Sequence, residues 1–184
     1  LWSGLQAGER IGGAVLGDDT LHDTRPKRSQ HAVLNMIGDL VAEGAPNPGI
    51  DSMQQTLGSL LEQLERIARP GTRIFLISDF HDLFEADHLA PLRRLARKTQ
   101  IVAVAVSDPL EAELPHAGFY AVTDGATHSQ LDTSLDGARE AYAEDYQMQR
   151  ANLIQRLREL RIPLLSIQTH QEPLKQLLAV FPSR

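Results

Sequence analysis

Strand-like and helix-like segments alternate along this chain at a spacing that few folds can accept. An apolar run at residues 10–16 is closed by Gly17-Asp18-Asp19, and helical patterns over 29–43 and from Asp51 or Ser52 to 67 follow. Residues 74–77 are a short apolar run, 85–98 a helical pattern, and 101–106 a second uninterrupted apolar run. Uninterrupted runs of this length bury both faces, as strands of a parallel sheet do when helices cover them. The order predicts right-handed βαβ units and a parallel sheet in an α/β fold.

The remaining segments fit around that frame. Residues 21–26 alternate weakly and end at Pro26, which confines them to a sheet edge. Ser29 can cap a helix whose apolar face is Val33, Met36, Ile37, Leu40 and Val41. The next helical stripe is Met53, Leu57, Leu60, Leu61, Leu64 and Ile67, stopped by Arg69-Pro70-Gly71. Residues 110–117 read as a Pro-bounded loop, and 119–123 with 129–132 as a hairpin around Asp124-Gly125. A long helix over 136–160 buries Ala138, Tyr142, Leu153, Leu157 and Leu160, before a last strand at 163–167 and a last helix at 173–181. Gly12-Gly13 lacks the rest of a dinucleotide fingerprint and instead permits close helix packing.

Composition narrows the function classes. With 42% hydrophobic residues in 184, the chain can build one domain with a real core. A formal charge of −6 and the absence of a long basic block argue against a nucleic-acid footprint. The small basic cluster of Arg25, Lys27 and Arg28 reads as a solvated rim or as a contact for an acidic partner. Zero cysteines exclude a disulfide framework, a thiolate zinc site and a cysteine nucleophile. No run approaches the roughly 18–20 apolar residues of a membrane span. Leu1 stands where a Met would start a chain, and residues 1–7 resemble the end of an amphipathic helix. The expectation is a segment of a larger protein, cytoplasmic, with any membrane association supplied from outside these residues.

The chemistry-bearing residues collect at predicted strand ends. Ser78-Asp79 ends the run at 74–77, and Ser107-Asp108 ends the run at 101–106. In open α/β sheets ligands and metals bind at the carboxyl ends of strands, so Asp79 is the leading candidate, although an aspartate there can also simply cap a loop. Asp51 and Ser52 open the helix before that strand, and oxygen donors of this kind suit magnesium. Asp79-Phe80-His81 also matches the Asp-x-His of metallophosphoesterases. That reading needs later Gly-Asp-x-x-Asp and Gly-Asn-His ligands, which this chain lacks. Ser78 has no Gly-x-Ser-x-Gly elbow, and the other histidines are dispersed in polar surroundings that suit the surface.

Several stretches together resemble a bacterial von Willebrand factor A-like family, the domain of unknown function 58. Gly8-Glu9-Arg10-Ile11-Gly12 is similar to its "G-D-R-V-G", Leu76-Ile77-Ser78-Asp79-Phe80 to its "L-I-S-D-F", and Asp108-Pro109-Leu110-Glu111-Ala112-Glu113-Leu114-Pro115 to its "D-P-x-E-x-x-L-P". Asp132-Thr133-Ser134 and Thr169-His170-Gln171-Glu172-Pro173-Leu174 fall where that family has "D-T-S" and "S-T-x-E-P-L".

The resemblance implies one von Willebrand factor A-type domain over residues 1–184, an α/β fold with a doubly wound (Rossmann-like), mainly parallel sheet, partial at its N-terminus. It implies a metal-ion-dependent adhesion site in which Asp79 anchors magnesium and Asp51 or Ser52 stands at the position of the usual threonine. The Asp-x-Ser-x-Ser of the family's first strand has no counterpart here, so weak magnesium binding, or none, is expected of this chain. By the same resemblance the function is a non-enzymatic protein-interaction domain whose partner is a MoxR-type AAA+ ATPase. The alternatives are a metal-dependent phosphoester hydrolase using Asp79 and His81, and a purely structural segment in which Asp79 is a strand-end cap.

Overall fold

In the computed structural model, which describes residues 1–17, 21–43, 57–84, 89–123, 128–134 and 137–180, a short helix α1 (Trp2–Gln6) leads into an antiparallel hairpin. Its strands are β1 (Ile11–Leu16) and β2 (Leu21–Lys27), which pair with each other and, among the described residues, with no strand of the central sheet. Pro26 is tolerated because β2 has a ladder on one side only. The paired glycines have separate reasons to be there. A Cβ on Gly13 would lie 2.3 Å from Met36 Sδ, so this glycine lets helix α2 (Gln30–Glu43) sit directly on β1, as expected. A Cβ on Gly12 would lie 2.5 Å from the Thr24 carbonyl oxygen and 2.7 Å from Pro26 N, so that glycine serves strand pairing, at the register irregularity between Ile11 and Gly13.

Ser29 caps α2, its Oγ accepting from Ala32 N at 3.4 Å. Val33 and Met36 are buried, whereas Leu40 and Val41, expected on the same face, are 51% and 71% exposed.

Helix α3 (Leu57–Ile67) then turns Leu57, Leu60 and Leu61 into the main core. Strand β3 (Arg73–Ser78) follows, then a single 3-10 turn (His81–Phe84), α4 (Leu89–Ala96) and β4 (Gln100–Ser107). The described helix is shorter than the one expected over 85–98, since Leu83 is buried within the 3-10 turn and residues 85–88 lie outside the described set. At the other end Thr99 Oγ1 donates to the Leu95 carbonyl at 2.7 Å and closes α4. Arg94 Nε reaches both carboxylate oxygens of Glu65 at 2.9 Å, which ties α4 to α3 and holds the Glu65 carboxyl below its usual range.

Asp108 caps a one-turn helix, α5 (Pro109–Ala112), where a loop was expected. Strands β5 (Phe119–Thr123) and β6 (His128–Asp132) form the expected hairpin; its turn at Asp124-Gly125 lies outside the described residues. The long helix α6 (Ala138–Glu159) buries Leu153 and Leu157, while Tyr142 is 39% exposed, so its C-terminal half does the packing. Strand β7 (Leu164–Gln168) and helix α7 (Pro173–Val180) complete the chain.

The central sheet is parallel and three-stranded, in the order β3-β4-β7. One face places Leu76, Ile101, Ala103 and Ala105 against α3, α4 and α6. The other face gathers Val104, Leu165 and Ile167, with Leu177 of α7 packed on them. Burial on both faces explains why β4 reads as an unbroken apolar run.

Candidate functional site

Because the three strands are parallel, their carboxyl ends share one edge of the sheet. Asp79 follows β3, Asp108 follows β4, and Thr169 with His170 follows β7. Thr169 N donates to the Ser107 carbonyl at 3.1 Å, extending the β4–β7 ladder to this edge.

Asp79 owes its position to Phe80. The Phe80 backbone is left-handed (φ 63°), a conformation that costs an L-residue roughly 1–2 kcal/mol. Its ring is 1% exposed in the main core, and that burial holds the unfavourable backbone in place. The chain therefore reverses immediately after Asp79, which is left exposed. Asp79 Oδ1 accepts from Ser78 Oγ at 3.2 Å and from His81 N at 3.1 Å, and Ser78 Oγ accepts from Phe80 N at 3.0 Å. Asp79 Oδ2 has no partner among the described residues. Ser78 is thus engaged in holding the turn.

Asp108 is occupied differently. Oδ1 accepts from Leu110 N at 2.9 Å as a helix cap, and Oδ2 accepts from the Thr169 hydroxyl across to the end of β7. The hydrogen bond from Thr169, then that from Leu110, holds the Asp108 carboxyl below its ordinary range, with a smaller contribution from His170. Two stretches singled out in the sequence therefore meet in space: the one that begins at Asp108 and the one that begins at Thr169. A third, Asp132-Thr133-Ser134, is a structural clasp. Thr133 is 1% exposed, and its Oγ1 donates to the carbonyls of His116 at 2.8 Å and Gly118 at 3.1 Å. Asp132 accepts from Ser134 N and Oγ, which lowers its carboxyl pKa.

The donor set bears on magnesium. Among the described residues Asp79 keeps one uncommitted carboxylate oxygen and Asp108 is held by its cap, and Asp51 and Ser52 lie outside that set. Among the described residues no three His, Asp or Glu side chains gather to hold an ion. Taken alone, then, these residues do not fit magnesium, which takes six ligands and ordinarily keeps water on several of them. His81 is exposed and presents its backbone N–H to Asp79. His22 departs from the expected idle surface histidine. Its Nε2 lies 2.9 Å from Glu43 Oε1 and its Nδ1 3.9 Å from Asp39 Oδ1, so opposite ring nitrogens face the two carboxylates. Arg25, Lys27 and Arg28 are exposed. None of the described helices is long and apolar enough to cross a membrane.

Comparison with known proteins gives this geometry a context. The family described as "Protein of unknown function DUF58" matches residues 1–152. An uncharacterized protein of Mycobacterium bovis is 27% identical over 182 residues, covering 96% of this chain and 55% of that protein. An uncharacterized protein of Mycobacterium avium is 26% identical over 131 residues, covering 69% of this chain and 76% of its own length. The chain spans about half the length of the Mycobacterium bovis relative. Among solved structures, a conserved hypothetical protein BatB from Bacteroides thetaiotaomicron aligns over 92% of this chain and 75% of its own, with a TM-score of 0.46 and 15% identity. An aerotolerance-related membrane protein from Bacteroides fragilis aligns over 91% and 75%, with a TM-score of 0.47 and 14% identity.

Proposed function

This chain belongs to the DUF58 family, and from that premise we propose that it is a non-enzymatic protein-interaction domain of von Willebrand factor A type that docks through the carboxyl edge of its central sheet. The observation that carries the proposal is the division of labour at that edge. Asp108 and Thr169 are spent on locking β4 to β7, while Asp79 is presented outward on a turn that a buried phenylalanine anchors. A rigid scaffold with one exposed, pre-aimed carboxylate loses little conformational freedom on binding. Its uncommitted oxygen can accept from a cationic or N–H donor on a partner without rearrangement of the core.

By the resemblance of its motifs, the partner in this proposal is a MoxR-type AAA+ ATPase. Magnesium held by Asp79 together with Asp51 and Ser52 belongs to the same proposal. No step is routed through it here, because the described residues alone do not supply its ligands. Biolayer interferometry of the chain against a MoxR-type ATPase from the same organism tests the reading, with and without magnesium. Saturable binding that Asp79→Ala weakens at least tenfold is expected. Binding that ignores the substitution, or turnover of a phosphoester that Asp79→Ala and His81→Ala both abolish, would overturn it.

A further inference from the structure

The opposite, amino-terminal edge of the central sheet carries a feature for which the docking proposal has no use. A cleft of about 630 Å³ opens there between the starts of β3 and β4, the end of α4 and the α6–β7 connection. Arg73, Arg93, Arg97 and Arg161 line it, although the chain as a whole carries a formal charge of −6. Among the described residues Arg93, Arg97 and Arg161 form no ion pair. Arg73 is aimed by a neutral group, with Nε and Nη2 both 3.4 Å from Gln100 Oε1. The carboxylate on the lining, Glu159, faces Arg156 Nη1 at 3.7 Å and accepts from Gln155 Nε2 at 3.1 Å.

Arginines in the last turns of helices complement the helix dipole, and that accounts for basic residues at the ends of α4 and α6. It does not account for their convergence with Arg73 on one concavity. Nor does it account for Arg161, which occupies a left-handed position (φ 57°) just after α6. There Arg161 N donates to the Arg158 carbonyl and Ile162 N to the Leu157 carbonyl, each at 2.9 Å, a helix stop at which glycine is the unstrained choice. The lining also carries apolar side chains: Ala96, Val102 and Leu160 are half-buried and Pro163 is exposed, while Ile101 and Ile162 are buried.

We propose that this cleft is a binding site for a small organic anion, a phosphate or carboxylate carried on an apolar body. Guanidinium forks match both groups bidentately, and the volume falls in the range of small-molecule sites. The apolar lining of Ala96, Val102, Leu160 and Pro163 takes the body while the arginines take the charge.

Calorimetric titration in EDTA with 1-naphthyl phosphate, 1-naphthoate, 1-naphthol and inorganic phosphate tests this. The two naphthyl anions separate the phosphate source from the carboxylate source. One of them is expected to bind at least tenfold more tightly than naphthol or inorganic phosphate, and more weakly as salt is raised. The double variant Arg93→Gln/Arg97→Gln is expected to lose at least tenfold in affinity. Arg161→Gly, which relieves backbone strain and so keeps the fold, is expected to lose at least threefold. Asp79→Ala binds as the wild type, which separates this site from the docking edge. Naphthol binding as tightly as the anions, arginine variants binding unchanged, or no binding by either anion at millimolar concentration would overturn the proposal.

Discussion

Replacing Phe80 by alanine and by glycine should produce an inverted order of stabilities. The ring is 1% exposed, so its removal leaves a cavity in the main core; a buried Phe→Ala change costs about 3–5 kcal/mol. That is a large share of the roughly 5–15 kcal/mol that holds a typical domain together. Alanine also inherits the left-handed backbone at φ 63°, at roughly 1–2 kcal/mol. Glycine escapes that strain and gives back roughly 0.5–1 kcal/mol through its freer unfolded chain. The smaller side chain should therefore be the better tolerated, with Phe80→Gly more stable than Phe80→Ala by about 0.75 kcal/mol at the mid-points of these ranges. Urea unfolding followed by far-ultraviolet circular dichroism resolves this. With a slope of about 2 kcal/mol/M, the two midpoints should differ by about 0.4 M. Alanine proving the more stable of the two, or either variant costing less than about 1 kcal/mol, would refute the claim that core burial maintains the strained turn behind Asp79.

Further outcomes follow from the same geometry. Gly12→Ala sets a Cβ against the Thr24 and Pro26 backbone at 2.5–2.9 Å and should destabilise by about 1–3 kcal/mol in thermal or urea unfolding, since backbone cannot step aside as a side chain can. Arg161→Gly should be neutral or stabilise by up to about 1 kcal/mol, because the left-handed strain it removes exceeds the entropy glycine adds. Asp108 has a folded pKa below its unfolded one, so its contribution to stability is complete above the ordinary aspartate value of about 3.9 and disappears as pH falls through the lowered folded value. Thr169→Val deletes the largest cause of that shift. The Asp108 carboxyl carbon, followed by NMR, should then titrate at higher pH than in the wild type.

Local patterns foretold the elements whose physics is local. β4 was legible because burial on both faces leaves an unbroken run of aliphatic residues, and α3 because Leu57, Leu60 and Leu61 recur at helical spacing. Leu40 and Val41 continue the apolar stripe of Val33 and Met36 yet are exposed, because helical spacing marks a face without saying how much of its length another element covers. The capped turn at Pro109–Ala112 carries a local signal that a loop reading passes over, since Asp108-Pro109 is a cap followed by a proline at the first helical position. Asp79 was found from its place after a strand, but the left-handed Phe80 that aims it has no sequence signature in a non-glycine residue.

The Asp108–Thr169 contact joins residues 61 apart and exists because β4 and β7 are neighbours, a pairing that no window of sequence contains. The arginine cleft is dispersed in the same way over positions 73, 93, 97 and 161. Asp51 and Ser52, the other two expected magnesium ligands, lie outside the described residues.

Site-specific photo-crosslinking to a MoxR-type ATPase tests the docking claim most directly. A benzoylphenylalanine at position 81, two residues past Asp79 on the carboxyl edge of the sheet, should crosslink to the ATPase. The crosslink should disappear when Asp79→Ala is added, and the same probe at position 97, on the arginine edge, should give none. Crosslinking from position 97 and not from 81, or a crosslink at 81 that survives Asp79→Ala, would contradict the account.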